Sequence, residues 1–137
     1  MFITGFTGLV DKIIVEKLVY SVPDIGTIYM LIRTKKDVNP QQTLETIIRG
    51  ANFDRIRKKR ADWQQYLLSK LVPIAGEIGK ENLGMSEQDI QLVSSTTHIY
   101  LHSAATVNFN EPLEVACNLN TLGYTLCVSF DQRKVQI

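Results

Sequence analysis

The stretch Met1 to Asp11, MFITGFTGLVD, decides the fold. Phe2 and Ile3 make a short apolar run, Gly5 and Gly8 follow, and a segment with helical apolar spacing begins at Leu9. That order reads as a strand, a glycine turn and a helix start. Such a turn lets phosphates approach the backbone at a helix N-terminus. Position 11, where a third small residue ordinarily stands, is an aspartate. Two readings stay open on these residues alone: a pyrophosphate cradle, or a turn that needs only positive φ.

Outward from the turn, apolar residues at 9, 10, 13, 14, 15, 18 and 19 predict a helix from Leu9 to Val22, stopped by Pro23, Asp24 and Gly26. Thr27 to Ile32 is a nearly continuous apolar run of β-forming residues, the pattern of a strand buried on both faces. Strand, turn, helix and strand form one βαβ unit. Pro40 opens a second helical region, with helices over Gln41–Arg49 and Phe53–Leu71, or one helix broken near Gly50. Leu71 to Ala75 reads as a third strand. Ser86 caps a helix through Ser95, with Asp89 at the capping-box position. Thr97 to Leu101 reads as strand four. Pro112 starts a helix to roughly Gln132, and Val135 to Ile137 begins a fifth strand. The alternation predicts an α/β fold: a doubly wound, parallel-sheet Rossmann-type domain over residues 1–137, truncated after about four strands.

Composition narrows the function classes. The chain has 137 residues, 45% of them apolar, which suffices for a core. A net charge of +1 gives no bulk footprint for nucleic acid or an anionic membrane. No apolar run reaches the ~18 residues of a membrane span, and the N-terminus lacks signal-peptide features. Cys117 and Cys127 fall on one expected helix, where a rise of ~1.5 Å per residue sets them ~15 Å apart. A disulfide needs Cα atoms within ~7 Å, so two free thiols and an intracellular, reducing compartment are expected.

Several motifs carry chemistry, each beside a plainer alternative. Arg33, with Lys35 and Lys36, follows strand two, where a basic residue accommodates a 2′-phosphate; the alternative is a solvated loop. The run Arg55 to Arg60 suits phosphates or nucleic acid, but Asp54, Asp62 and the low net charge favour a solvated helix face. Tyr66 and Lys70 have the spacing of a Tyr-x-x-x-Lys proton-transfer pair, yet they precede strand three and belong at the wrong end of the sheet. His98 and His102, on one expected strand, would lie ~13 Å apart and share no metal. His102 is placed to line a site, His98 to be structural, and no metal is expected.

In order and spacing, these segments resemble the fatty acyl-CoA reductases of the extended short-chain dehydrogenase superfamily. The segments are Thr4-Gly5-Phe6-Thr7-Gly8, Pro23 to Tyr29 with Leu31-Ile32-Arg33, Phe53 to Arg57, Val72 to Ile78, Asn82 to Ser86, His102 to Phe109, and Asn120 to Gly123. The resemblance implies an NADPH cofactor and reduction of a long-chain acyl-CoA to a fatty alcohol. By carry-over, Gly5, Thr7 and Gly8 cradle the pyrophosphate, Leu9 belongs to the same cofactor-binding set, and Arg33 takes the 2′-phosphate. Glu77 and Ile78 lie beside the adenine, Ala104, Ala105 and Val107 flank the ribose and nicotinamide, and Asn120 supports the site wall.

The family's Tyr-x-x-x-Lys lies after strand five, so no catalytic residue is assigned and the chain is expected to be an N-terminal fragment. Family members associate with peroxisomal or endoplasmic reticulum membranes, an association expected here only through the missing C-terminal region; no nucleic-acid partner is expected. The alternative is a non-catalytic remnant or nucleotide-binding module. Asp11 bears on that choice. A carboxylate ~6 Å from a phosphate charge, at an effective dielectric of ~20, is repelled by roughly 3 kcal/mol.

Overall fold

The computed structural model describes residues 1–34 and 38–122. Lys35, Lys36, Gly123, Cys127 and the expected fifth strand lie outside them. Four strands, β1 (Phe2–Thr4), β2 (Ile28–Ile32), β3 (Leu71–Ala75) and β4 (Tyr100–His102), form one parallel sheet in the order β3-β2-β1-β4. Thr4 pairs with Leu31 on one side and His102 on the other, and Ile32 pairs with Ala75. The helices are α1 (Leu9–Ser21), α2 (Pro40–Ile48), α3 (Asp54–Lys59), α4 (Trp63–Lys70), α5 (Glu87–Thr96) and α6 (Leu113–Cys117).

Both sheet faces are covered, as a parallel sheet requires. Ile3, Ile28, Met30 and Ile32 point to one face, where Val15 and Val19 of α1, Leu44 and Ile48 of α2, Ile56 of α3 and Leu67 of α4 pack. Phe2, Tyr29 and Leu31 point to the other, against Ile90 and Val93 of α5, Leu83 and Met85. All five residues of β2 are buried, which is why its sequence is an unbroken apolar run. Pro73, which cannot donate to a ladder, sits on β3 at the edge of the sheet.

Local chemistry sets the helix ends. Asn39 and Gln42 form a reciprocal capping box before α2. The Ser86 hydroxyl accepts from the Asp89 N–H and donates to Asp89 Oδ2 at 2.6 Å, so aspartate completes a cap of its own kind. Three expectations need correction. The expected helix over Phe53–Leu71 is a helical turn and two helices, broken where Arg60 turns extended and its guanidinium bonds Asp62 at 3.0 and 2.9 Å. Strand four starts at Tyr100, three residues late, because buried Thr97 still donates its N–H to Val93 and ends α5. His98 is therefore off the strand. The helix after Pro112 runs only to Cys117 before a wider turn over Asn118–Leu122; its expected continuation lies outside the described residues.

Candidate functional site

A cleft of about 530 Å³ opens at the carboxyl ends of the strands, within the size range of small-ligand sites. Chain direction fixes the place. From β1 the chain moves to β2 on one side, and β4 comes back to the other side of β1. The loops after β1 and β4 therefore diverge and leave a crevice between them.

The floor is the glycine turn. The Gly8 N–H donates to the Gly5 carbonyl at 2.7 Å, and Gly8 caps α1 with no side chain, so no side chain shields the first helical N–H groups. Gly5 has φ +91, and a Cβ there would lie 2.9 Å from Ala104 N, Asp11 Oδ2 and Ser103 Oγ. Only glycine lets β1, α1 and the loop after β4 meet at this point. Across the cleft, a Cβ on Gly76 would lie 2.6 Å from the Leu83 carbonyl. The backbone cradle therefore fits a pyrophosphate in shape and in donor supply.

Nine of the expected cofactor residues line this cleft: Gly5, Thr7, Gly8, Leu9, Arg33, Glu77, Ile78, Ala104 and Ala105. Val107 does not; it projects outward and is 81% exposed. Asn120 holds the wall by two bonds to the Thr106 backbone, accepting from its N–H at 2.8 Å and donating to its carbonyl at 3.1 Å.

Asp11 lies at the base of the cleft, 2% exposed. Its Oδ2 accepts from the Ser103 hydroxyl, while Oδ1 is buried without a hydrogen-bond partner. Behind it, His102 Nδ1 and the Thr4 hydroxyl are 2.7 Å apart. Burial pushes the His102 imidazole below its ordinary pKa, and nearby Asp11 opposes that shift. His102 is not on the cleft lining, so the expectation that it lines the site is corrected.

On the far rim, Arg33 Nη1 stands 3.6 Å from Glu77 Oε1, and Lys80 Nζ stands 3.0 Å from Glu77 Oε2. Lys80 first, and Arg33 after it, hold the Glu77 carboxyl below its ordinary range. Sequence reasoning missed Lys80, whose spacing of three from Glu77 was the available signal. It also gave no role to Ser103, whose partner is 92 positions away.

The other motifs are engaged elsewhere. Tyr66 donates to the Val19 carbonyl at 3.0 Å and Lys70 to the Ile25 carbonyl at 2.8 Å, both away from the cleft. Arg55 pairs with Glu16, Arg57 with Asp54 and Arg60 with Asp62, while Arg55 and Lys59 also stack on Tyr20. Arg55, Lys58 and Lys59 are exposed, as expected of a solvated helix face, and the ion pairs and ring contacts tie that face to the fold.

A NAD-binding family model described as "Male sterility protein" matches residues 3–136. A Drosophila melanogaster protein provisionally named a fatty acyl-CoA reductase is 40% identical over 133 residues, covering 97% of this chain and 25% of that protein. Fatty acyl-CoA reductase 1 of Rattus norvegicus is 37% identical over 122 residues, covering 89% of this chain and 23% of its own length. The chain thus spans about a quarter of the curated relatives it matches. Among solved structures, the terminal R domain from the myxalamid PKS-NRPS biosynthetic pathway is similar at a TM-score of 0.75 and 29% identity, over 97% of this chain and 31% of that one.

Proposed function

The chain belongs to the male sterility protein family of NAD-binding proteins, and from that premise we propose that it is the cofactor-holding part of an NADPH-dependent fatty acyl-CoA reductase. One observation carries the reading. The α1 N-terminus after Gly8, with no side-chain cap, and Arg33 line the same cleft, where a dinucleotide's pyrophosphate and 2′-phosphate would meet them.

The residues present do defined work toward a bound dinucleotide. Backbone N–H groups after Gly8 meet the pyrophosphate, and Arg33 presents a planar fork to a ribose phosphate. Ala104 and Ala105 supply small walls where the nicotinamide side would pass, held in place through the Asn120–Thr106 bonds. The cofactor, when bound, would supply hydride; taking a long-chain acyl-CoA through the aldehyde to the alcohol needs two such equivalents and releases CoA as its thiol. No tyrosine or lysine lines the cleft among the described residues, and Tyr66 and Lys70 are bound to backbone carbonyls elsewhere. Proton delivery is therefore assigned to no residue described here.

A second reading, a non-catalytic remnant that holds no dinucleotide, is favoured by one feature. Asp11 keeps a carboxylate at the base of the cradle, where it repels phosphate. Titration with NADPH and NADH, followed by nicotinamide fluorescence and thermal shift, tests the cofactor reading. Saturable binding with preference for NADPH supports it; a folded chain that binds neither dinucleotide overturns it.

A further inference from the structure

The rim of the cleft carries more charge than a single phosphate-binding arginine requires. Glu77 stands between two cations. Its contact with Lys80, at 3.0 Å, is a hydrogen-bonded ion pair; its approach to Arg33, at 3.6 Å, is longer than a good hydrogen bond. Arg33 is thus held mainly by charge, and its side chain is 57% exposed. The sheet enforces this meeting. Arg33 follows β2 and Glu77 follows β3, the strands pair through Ile32 and Ala75, and the Gly76 N–H donates to the Ile32 carbonyl at 3.2 Å.

Resting on the dinucleotide reading above, we infer that Glu77 is the resident counter-ion of Arg33. On binding, a ligand's ribose phosphate takes its place, while Lys80 retains the Glu77 carboxylate. This exchange sets how strongly the cleft prefers a dinucleotide with a 2′-phosphate over one without. An unphosphorylated ribose offers Arg33 no anion, and the Arg33–Glu77 contact persists. A phosphate displaces it, but binds with a carboxylate still near. Glu77 therefore weakens binding of the phosphorylated ligand alone, and Lys80 limits that weakening. The depressed Glu77 pKa, caused first by Lys80, agrees with Lys80 as the firmer partner.

The test is a set of NADPH and NADH titrations at one low ionic strength, because surface charge effects are screened by salt. Glu77→Gln is nearly isosteric at a partly exposed site, and circular dichroism checks each variant's fold. A carboxylate ~7 Å from a dianionic phosphate in a water-like dielectric is worth roughly three- to tenfold in affinity. Glu77→Gln is expected to raise the NADPH-to-NADH affinity ratio by that factor, since any effect through the adenine is common to both dinucleotides and cancels. Lys80→Gln is expected to weaken NADPH several-fold and to lose this effect in the Glu77→Gln background. An unmoved NADPH-to-NADH ratio in Glu77→Gln overturns the inference and leaves the cofactor reading intact. So does a Lys80→Gln loss that persists in full without Glu77, since Lys80 then contacts the phosphate directly. A folded chain that binds neither dinucleotide overturns both.

Discussion

The Ser103 hydroxyl donates to Oδ2 of Asp11, tying the loop after β4 to the first turn of α1 across the base of the cleft. An aspartate in a first helical turn meets the positive end of the helix dipole, so it suits α1 while opposing an anion at the same N-terminus. Asp11→Asn keeps the size and removes the charge. It is expected to tighten NADPH about tenfold or more, below the ceiling set by roughly 3 kcal/mol per phosphate charge. Asp11→Gly should bind at least as tightly but melt lower, because it loses the Ser103 bond and the carboxylate at the helix's positive end, and adds backbone freedom. Fluorescence titration and thermal melts of the three proteins separate the two effects. Equal affinities would sink the view that Asp11 opposes the cofactor.

The His102 pKa, lowered chiefly by burial, gives folding a pH dependence with a fixed sign. The ordinary value is 6.5, so below about that pH the unfolded chain takes up a proton that the folded chain resists. Stability is complete above this window and declines as pH falls through it, until the folded ring also protonates. Glu77, held below its ordinary 4.5 by Lys80 and then Arg33, adds a separate loss at lower pH. Melting temperatures of the wild type should drop between near-neutral and mildly acidic buffer, and His102→Gln should remove that step while leaving the lower one. An unchanged first step in the variant would assign it to another group.

Glu16 is 4% exposed on α1 and receives two hydrogen bonds from Arg55 of α3, at 3.0 and 2.7 Å. Removing the cation alone leaves a buried carboxylate unpaired, whereas replacing both partners with apolar groups removes the need for pairing. Arg55→Met is therefore expected to lower the melting temperature more than Glu16→Gln, and Glu16→Leu with Arg55→Met to recover much of the loss. Additive single and double effects would show that the two side chains act independently.

Legibility from sequence followed the range of the forces involved. β2 and β3 were readable because burial on a sheet and edge placement of Pro73 leave local marks, and Ser86 announced α5 by its own cap chemistry. The glycine turn and Arg33 were readable because each follows its strand directly. The break at Arg60 was not, since a two-residue ion pair with Asp62 overrides otherwise helical spacing. The start of β4 depended on how long α5 persists. Tyr66 and Lys70 show the opposite hazard: a catalytic spacing whose atoms serve two backbone carbonyls. Ser103 reaches Asp11 and Arg33 reaches Glu77 through strand order, which no local pattern records.

Two glycines provide a matched contrast. Gly5 has φ +91, and an added Cβ would meet backbone and side-chain atoms of three residues at 2.9 Å. Gly26, before β2, has ordinary φ and nothing within 4 Å of an added Cβ. Alanine at Gly5 must take a left-handed conformation, costing on the order of 1–3 kcal/mol, and must also push apart β1, α1 and the loop after β4. Alanine at Gly26 meets neither penalty and restricts the unfolded chain, which stabilises by about 0.4–1 kcal/mol. Urea titrations should therefore move in opposite directions, with Gly5→Ala unfolding earlier and Gly26→Ala later than the wild type. Dinucleotide titrations divide them again: Gly5→Ala is expected to lose NADPH binding and Gly26→Ala to keep it, since only Gly5 lines the cleft. If Gly5→Ala binds NADPH as the wild type does, the ligand does not approach this turn and the phosphate cradle is misplaced.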